Sequence, residues 1–233
     1  MKNHVQFFSI SMIVLILAAC APKPVAPVIP PTSGSVSTTG VVPGSLVTIE
    51  AAAEDIIDFA PSGGWDKISK DVTDIANAWK SYQPQASQAG ASQEVQDVMN
   101  AALSKLQSAS TSKDASATMQ ASNDVSAAVV ELFALYSPKV PADIGRLDVL
   151  ERQVILDVAA KDYSAAKTSL AKVMSVWSQV KPSVLEHNGK DVAAQFQESL
   201  DTQVVRLDSK NYTDLTNEAR NALEIVDELE GLY

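Results

Sequence analysis

Thiols, imidazoles and basic charge are all scarce in this sequence, and each scarcity removes a class of function. The single cysteine, Cys20, has no partner, so no disulfide braces the fold within the chain. Zinc–cysteine sites and cysteine nucleophiles are excluded from the 213 residues that follow it. Of the two histidines, only His187 lies beyond the first few residues. Nucleophile–base catalysis usually draws on His or Cys beside a partner, and here there is almost nothing to draw on. The nine glycines form no phosphate-cradling loop, and no Cys-x-x-Cys-His motif exists for covalent haem. Eighteen basic residues against 28 acidic ones give a formal charge of −10. Such a surface repels nucleic acid and anionic lipid, so no nucleic-acid partner is expected. No cofactor is expected either.

The N-terminus carries a different kind of information. Lys2 is followed by an apolar run from about Phe7 to Leu17, then by Leu17-Ala18-Ala19-Cys20. A charged start, an apolar core of about 7–15 residues and small residues at the cut form an export signal. The run is shorter than the about 20 residues a transmembrane helix needs. The block Leu17-Ala18-Ala19-Cys20 resembles the bacterial lipobox. That resemblance implies a signal peptide over 1–19, cleavage between Ala19 and Cys20, and diacylglycerol on the Cys20 thiol with acylation of the new amine. Two or three acyl chains hold a protein stably on a membrane where one does not. Ala21 is not the aspartate that favours inner-membrane retention, so the expected address is the cell envelope, at the outer membrane facing the periplasm in a two-membrane host.

After Cys20, the stretch 21–45 holds Pro22, Pro24, Pro27, Pro30, Pro31 and Pro43 among Ser, Thr, Gly and Val. It reads, with Cys20, as a tether over 20–45, able at ~3.1 Å per residue to hold a domain roughly 70 Å from the bilayer. The remaining 46–233 is long enough to bury a sizeable core.

That body reads as all-α, built from two like units, 46–140 and 141–233. Trp79 and Trp177 lie 98 residues apart, each followed five residues later by a proline, Pro84 and Pro182. Glu131-Leu-Phe-Ala-Leu-Tyr136 and Glu228-Leu-Glu-Gly-Leu-Tyr233 lie 97 apart, so one residue is gained or lost near 85–91. The stripe Trp65, Ile68, Val72, Ile75, Trp79, Tyr82 is matched by Tyr163, Ala166, Leu170, Val173, Trp177, Val180. Spacings of three and four mark one face of an amphipathic helix. A second stripe, Tyr212, Leu215, Ala219, Ala222, Val226, Leu229, Tyr233, is matched by Ala115, Thr118, Ser122, Val125, Val129, Leu132, Tyr136.

Helices are predicted over 46–59, 64–82, 92–109 and 113–136, then over 144–160, 162–181, 190–207 and 211–229. Pro61, Pro84, Pro138, Pro141 and Pro182 are expected at breaks, and Asn188 and Asn211 as N-caps. The predicted architecture is two tandem antiparallel four-helix bundles from an internal duplication. The alternative is an open array of helical hairpins, since Ala160–Ala166 resembles a tetratricopeptide hairpin, although that family repeats every ~34 residues.

Candidate sites are few. His187, in Leu185-Glu-His-Asn-Gly189, is the one nitrogen donor for a metal or a pH sensor, but with no second histidine it is expected to be an exposed loop residue beside Glu186. Glu50, Glu54, Asp55 and Asp58 crowd the first helix, and Glu224, Asp227, Glu228 and Glu230 the last. Helix-borne acids at these spacings are usually a wet face, though they can chelate a hard cation. Trp79 and Trp177 are expected in the core; Met99, Met119 and Met174 complete no haem box. The Ala/Ser/Gln-rich stretch 85–118 offers a small-surfaced face.

The order Asp162-Tyr163…Trp177…His187…Leu200…Asn211-Tyr212 is similar to a group of small bacterial envelope proteins of unknown function, which implies fold and location only. A looser likeness is to imelysin-type exported proteins, which pair helical bundles and are linked to iron. Their His-x-x-Glu signature is absent here, because Asn188, Gly189 and Lys190 follow His187. The expected function is therefore a non-enzymatic, membrane-anchored binding or scaffold module that meets another envelope protein. The alternative is an exported protein that binds a metal or small ligand through its acidic helix faces.

Overall fold

The computed structural model describes residues 41–233. The expected signal peptide over 1–19, Cys20 and all but the last residues of the expected tether lie outside them.

Eight α-helices and two short 3₁₀ turns make up the described residues, with no strand among them. The helices are α1 (Gly44–Phe59), α2 (Trp65–Ala86), α3 (Gln93–Ser112), α4 (Ala115–Phe133), α5 (Ala142–Ala159), α6 (Tyr163–Glu186), α7 (Lys190–Asp208) and α8 (Tyr212–Glu230). The apolar stripes explain them. In α2, Ile68, Val72, Ile75, Trp79 and Tyr82 are all buried, and in α6 so are Ala166, Leu170, Val173, Trp177 and Val180. Burying one face of each helix, rather than helix propensity, is what holds helices of this length together.

The links are decided by short-range chemistry. Asp114, Asp162 and Asn211 each accept a hydrogen bond from the backbone N–H three residues on, capping α4, α6 and α8. The residue before each cap, Lys113, Lys161 and Lys210, has positive φ and turns the chain out of the preceding helix. Asn188 also adopts positive φ, 62°, so it ends α6 instead of capping α7; the N-cap of α7 is Gly189. Pro84 and Pro182 do not break their helices either. Both lie inside α2 and α6, where each forgoes one N–H···O=C bond, and the helices continue past them to bury Ala86 and Val184. The loops begin only at Ser87 and His187.

Two separate apolar cores result. One gathers Leu46, Ile49, Ile56, Ile75, Trp79, Met99, Leu106 and Val129 from α1–α4. The other gathers Leu147, Val154, Val173, Trp177, Phe196, Leu200, Val226 and Leu229 from α5–α8. Within each set, consecutive helices pack together and the first also packs on the fourth, closing a ring of neighbours around the core. An open array of hairpins would lack that closing contact. Trp79 and Trp177 are buried in their cores as expected, and their indole N–H groups donate to Asn100 Oδ1 at 2.7 Å and Gln197 Oε1 at 3.0 Å. Met99 is buried with them, whereas Met174 is exposed.

The two sets meet where α4 packs on α5. This seam is more polar than either core. Gln120 and Gln153 exchange reciprocal amide hydrogen bonds at 2.8 and 3.0 Å, and Asn123 Nδ2 donates to Val149 O. Arg146 clamps Glu131 with two bonds of 2.7 and 2.8 Å. Gly145 lies against Val130, where an added Cβ would meet Cγ2 at 3.1 Å.

Candidate functional site

The seam brings the helices that close each ring, α1 and α4 on one side and α5 and α8 on the other, to a common junction. Glu50 and Glu54 stand one turn apart on α1; Asp148 and Arg152 stand one turn apart on α5. Oxygen atoms of Glu50, Glu54 and Asp148 come within 4.8 Å of one another. Arg152 Nη2 bonds Glu54 Oε1 at 2.8 Å and Asp148 Oδ2 at 2.6 Å. Ser126 on α4 faces Glu50, and Asp227 and Glu230 on α8 add negative potential at Asp148.

This is a crowded, poorly hydrated place for charge. Asp148 is 8 % exposed and Ser126 fully buried. Glu50 is half-buried as a residue, yet its Oε2 is shut off from solvent and has no hydrogen-bond partner. Ser126 Oγ and Arg152 Nη1 are buried without partners too. Burial, reinforced by Glu54, pushes the Glu50 carboxyl up to about 8 although Arg152 opposes it. Burial likewise raises Asp148 to about 7, with Arg152 opposing and Glu54 adding to the rise. Glu230 is also raised, first by burial and then by Glu54. One arginine is too little cation for five carboxylates. Burial therefore favours the protonated forms of Glu50 and Asp148 and leaves the cluster short of positive charge.

A second buried acid lies deeper. Glu151 on α5 is fully enclosed in the second core, held by Gln203 Nε2 on α7 at 3.0 Å. Its Oε2 and Gln203 Oε1 are both buried without partners. Burial raises Glu151 to about 8, against the pull of the Gln203 hydrogen bond and with help from Glu218.

His187 stands apart from these acids. Its ring lies 4.3 Å from that of Tyr233, and Nδ1 is 2.9 Å from Ser183 O, so the histidine folds back on the end of α6 as an exposed loop residue. It belongs to no metal-competent group among the described residues. On another face, α6 and α7 flank an open groove of 690 Å³ lined by Leu185, Val205 and Ala194, with both basic (Lys181, Lys190, Arg206) and acidic (Glu198, Asp201) side chains along it.

Of the acidic runs singled out in the sequence, the junction uses Glu50 and Glu54 from the first, and Asp227 and Glu230 from the last. Asp55 turns instead to Lys67, at 2.7 Å. Asp148, Ser126 and Glu151 were not singled out by sequence reasoning. Asp148 had a signal: it stands 98 residues after Glu50, the offset between Trp79 and Trp177. Neither a family model nor a curated protein nor a solved structure matches this chain.

Proposed function

We propose that the protein is a lipid-anchored, non-enzymatic helical module of the bacterial cell envelope that binds another envelope protein. The observation that carries this reading is the order of segments: Leu17-Ala18-Ala19-Cys20, a proline-rich stretch over 21–45, and a helical body whose first helix starts at Gly44. Lipid on Cys20 would supply the membrane contact and the tether the reach. The body's own charge would keep it off anionic lipid and nucleic acid. Losing Lys2 with the signal leaves the mature chain at −11.

The body itself is read as an internal duplication. Helices α1 and α2 start 98 residues before α5 and α6, and α3 and α4 start 97 residues before α7 and α8. Positive-φ residues recur at the same offsets, Gly63 with Lys161 and Lys113 with Lys210. So do the indole acceptors, Asn100 and Gln197.

The test is crosslinking of the full-length anchored chain in intact envelopes, with adducts identified by mass spectrometry. A reproducible envelope-protein partner, lost when Cys20→Ala releases the chain from the membrane, is the expected result. Absence of any such adduct contradicts the reading.

A second reading, an exported protein that binds a metal or small ligand through its acidic helix faces, is favoured by the convergence of Glu50, Glu54 and Asp148.

A further inference from the structure

We propose that the junction between the two helical rings is a binding site for one hard divalent cation, Ca²⁺, with Glu50, Glu54 and Asp148 as carboxylate ligands and Ser126 Oγ as an additional oxygen. The inference rests on the ligand-binding reading and names its ion and its residues.

The donors are all oxygen. No nitrogen or sulfur ligand takes part, a set that suits Ca²⁺ and discriminates against zinc or copper. Separations of up to 4.8 Å between the donor oxygens lie within the coordination diameter of Ca²⁺, about 4.6–5.2 Å.

Acidic residues alone would not make a site, because exposed carboxylates commonly gather on helix faces. Here two buried oxygens at the cluster, Glu50 Oε2 and Ser126 Oγ, make no hydrogen bond of full geometry, although the Ser126 hydroxyl lies close enough to Glu50 to favour its charged form; the buried Arg152 Nη1 beside them is unpaired as well. Buried polar atoms are nearly always satisfied, and an orphaned pair beside converging carboxylates points to a missing ligand. The sign of that ligand follows from the charges. Arg152 engages one oxygen of Glu54 and one of Asp148, and Asp227 and Glu230 add further negative charge from α8. A divalent cation would satisfy the orphaned oxygens and balance the excess together.

Because the ligands come from α1 and α5, the ion would also tie the two rings together.

The experiment is calorimetric titration of the full-length chain in detergent with calcium chloride alone, at pH 8. Binding of one ion per chain is expected. Glu50→Gln and Asp148→Asn should each weaken binding by about tenfold or more, with circular dichroism and cooperative melting retained. Wild-type affinity in both variants would overturn the site and leave the ligand-binding reading standing. Absence of both heat and a melting shift with calcium in the wild-type chain would overturn the two together.

Discussion

Arg152 on α5 meets Glu54 on α1 at 2.8 Å, and the two residues stand 98 positions apart, the same offset that relates the two buried tryptophans. Asp148 meets Glu50 across the same junction with the same offset. Under the proposed duplication, each of these is a contact between a residue and its own counterpart, as across a surface shared by two like units. If the proposed duplication occurred, Arg152 is the divergence that placed one cation among acids that would otherwise face each other unopposed.

Removing that cation should therefore be costly. Arg152→Gln is expected to destabilise the protein by about 2–3 kcal/mol at pH 8, less than a fully buried pair would lose because Glu54 remains half exposed. At pH 5.5, where Glu50 and Asp148 hold their protons, the loss should shrink. Urea unfolding at both pH values measures this, and an equal loss at both would contradict it.

Stability should fall as pH rises. Glu50, Asp148 and Glu151 all bind protons more tightly folded than their ordinary values of 4.5, 3.8 and 4.5. Between roughly pH 4 and pH 8 the native chain holds protons that the unfolded chain has released, so stability declines with increasing pH through that window. The stabilising contribution is complete below the unfolded values and lost as pH passes about 7 to 8. Thermal melting should show a higher midpoint at pH 5.5 than at pH 8.5; a flat or rising profile would contradict the electrostatics described.

Glu151 and Gln203 occupy positions matched by Ala53 and Leu106 in the first ring, both buried and apolar. Gln203→Leu alone leaves the Glu151 carboxyl without its donor and should cost about 1–3 kcal/mol. Glu151→Ala combined with Gln203→Leu restores an apolar layer like the first core, and is expected to be neutral or stabilising by about 1–4 kcal/mol. Chemical denaturation of the three proteins checks the order. A double variant weaker than the single one would show that the pair stabilises the core.

Gly189 is needed for want of space. A Cβ there would meet Leu232 Cδ1 at 2.5 Å, Val184 Cγ1 at 2.7 Å and the Val184 carbonyl oxygen at 2.9 Å. Leu232 can move but the carbonyl cannot, so Gly189→Ala should cost about 1–3 kcal/mol. Gly44→Ala, at the start of α1 with nothing within 4 Å, should be neutral or mildly stabilising. Differential scanning calorimetry distinguishes the two.

Much of the fold was legible because apolar spacing reports directly which face of a helix is buried. The stripes through Trp79, Trp177, Val129 and Val226 fell on helices and in cores as read. Proline misled the helix ends. At Pro84 and Pro182 one backbone bond is lost, yet burial of Ala86 and Val184 beyond them lets α2 and α6 run on. Asn188 misled for a related reason, since asparagine serves both as an N-cap and as a left-handed exit, and the chain uses the second.

The site was half legible. Periodicity places Glu50 and Glu54 on one face of α1 but does not say which helix that face meets. An acid on a helix is read as wet, so Asp148 and Glu151 passed unnoticed, although both are enclosed by the packing of α5.

Native mass spectrometry of the full chain, gently extracted from its own membrane, tests the central claim most directly. The account predicts a chain beginning at Cys20, heavier by its diacylglycerol and acyl groups, and retaining an envelope protein as an adduct. A chain that keeps residues 1–19 and carries no acyl mass would contradict it.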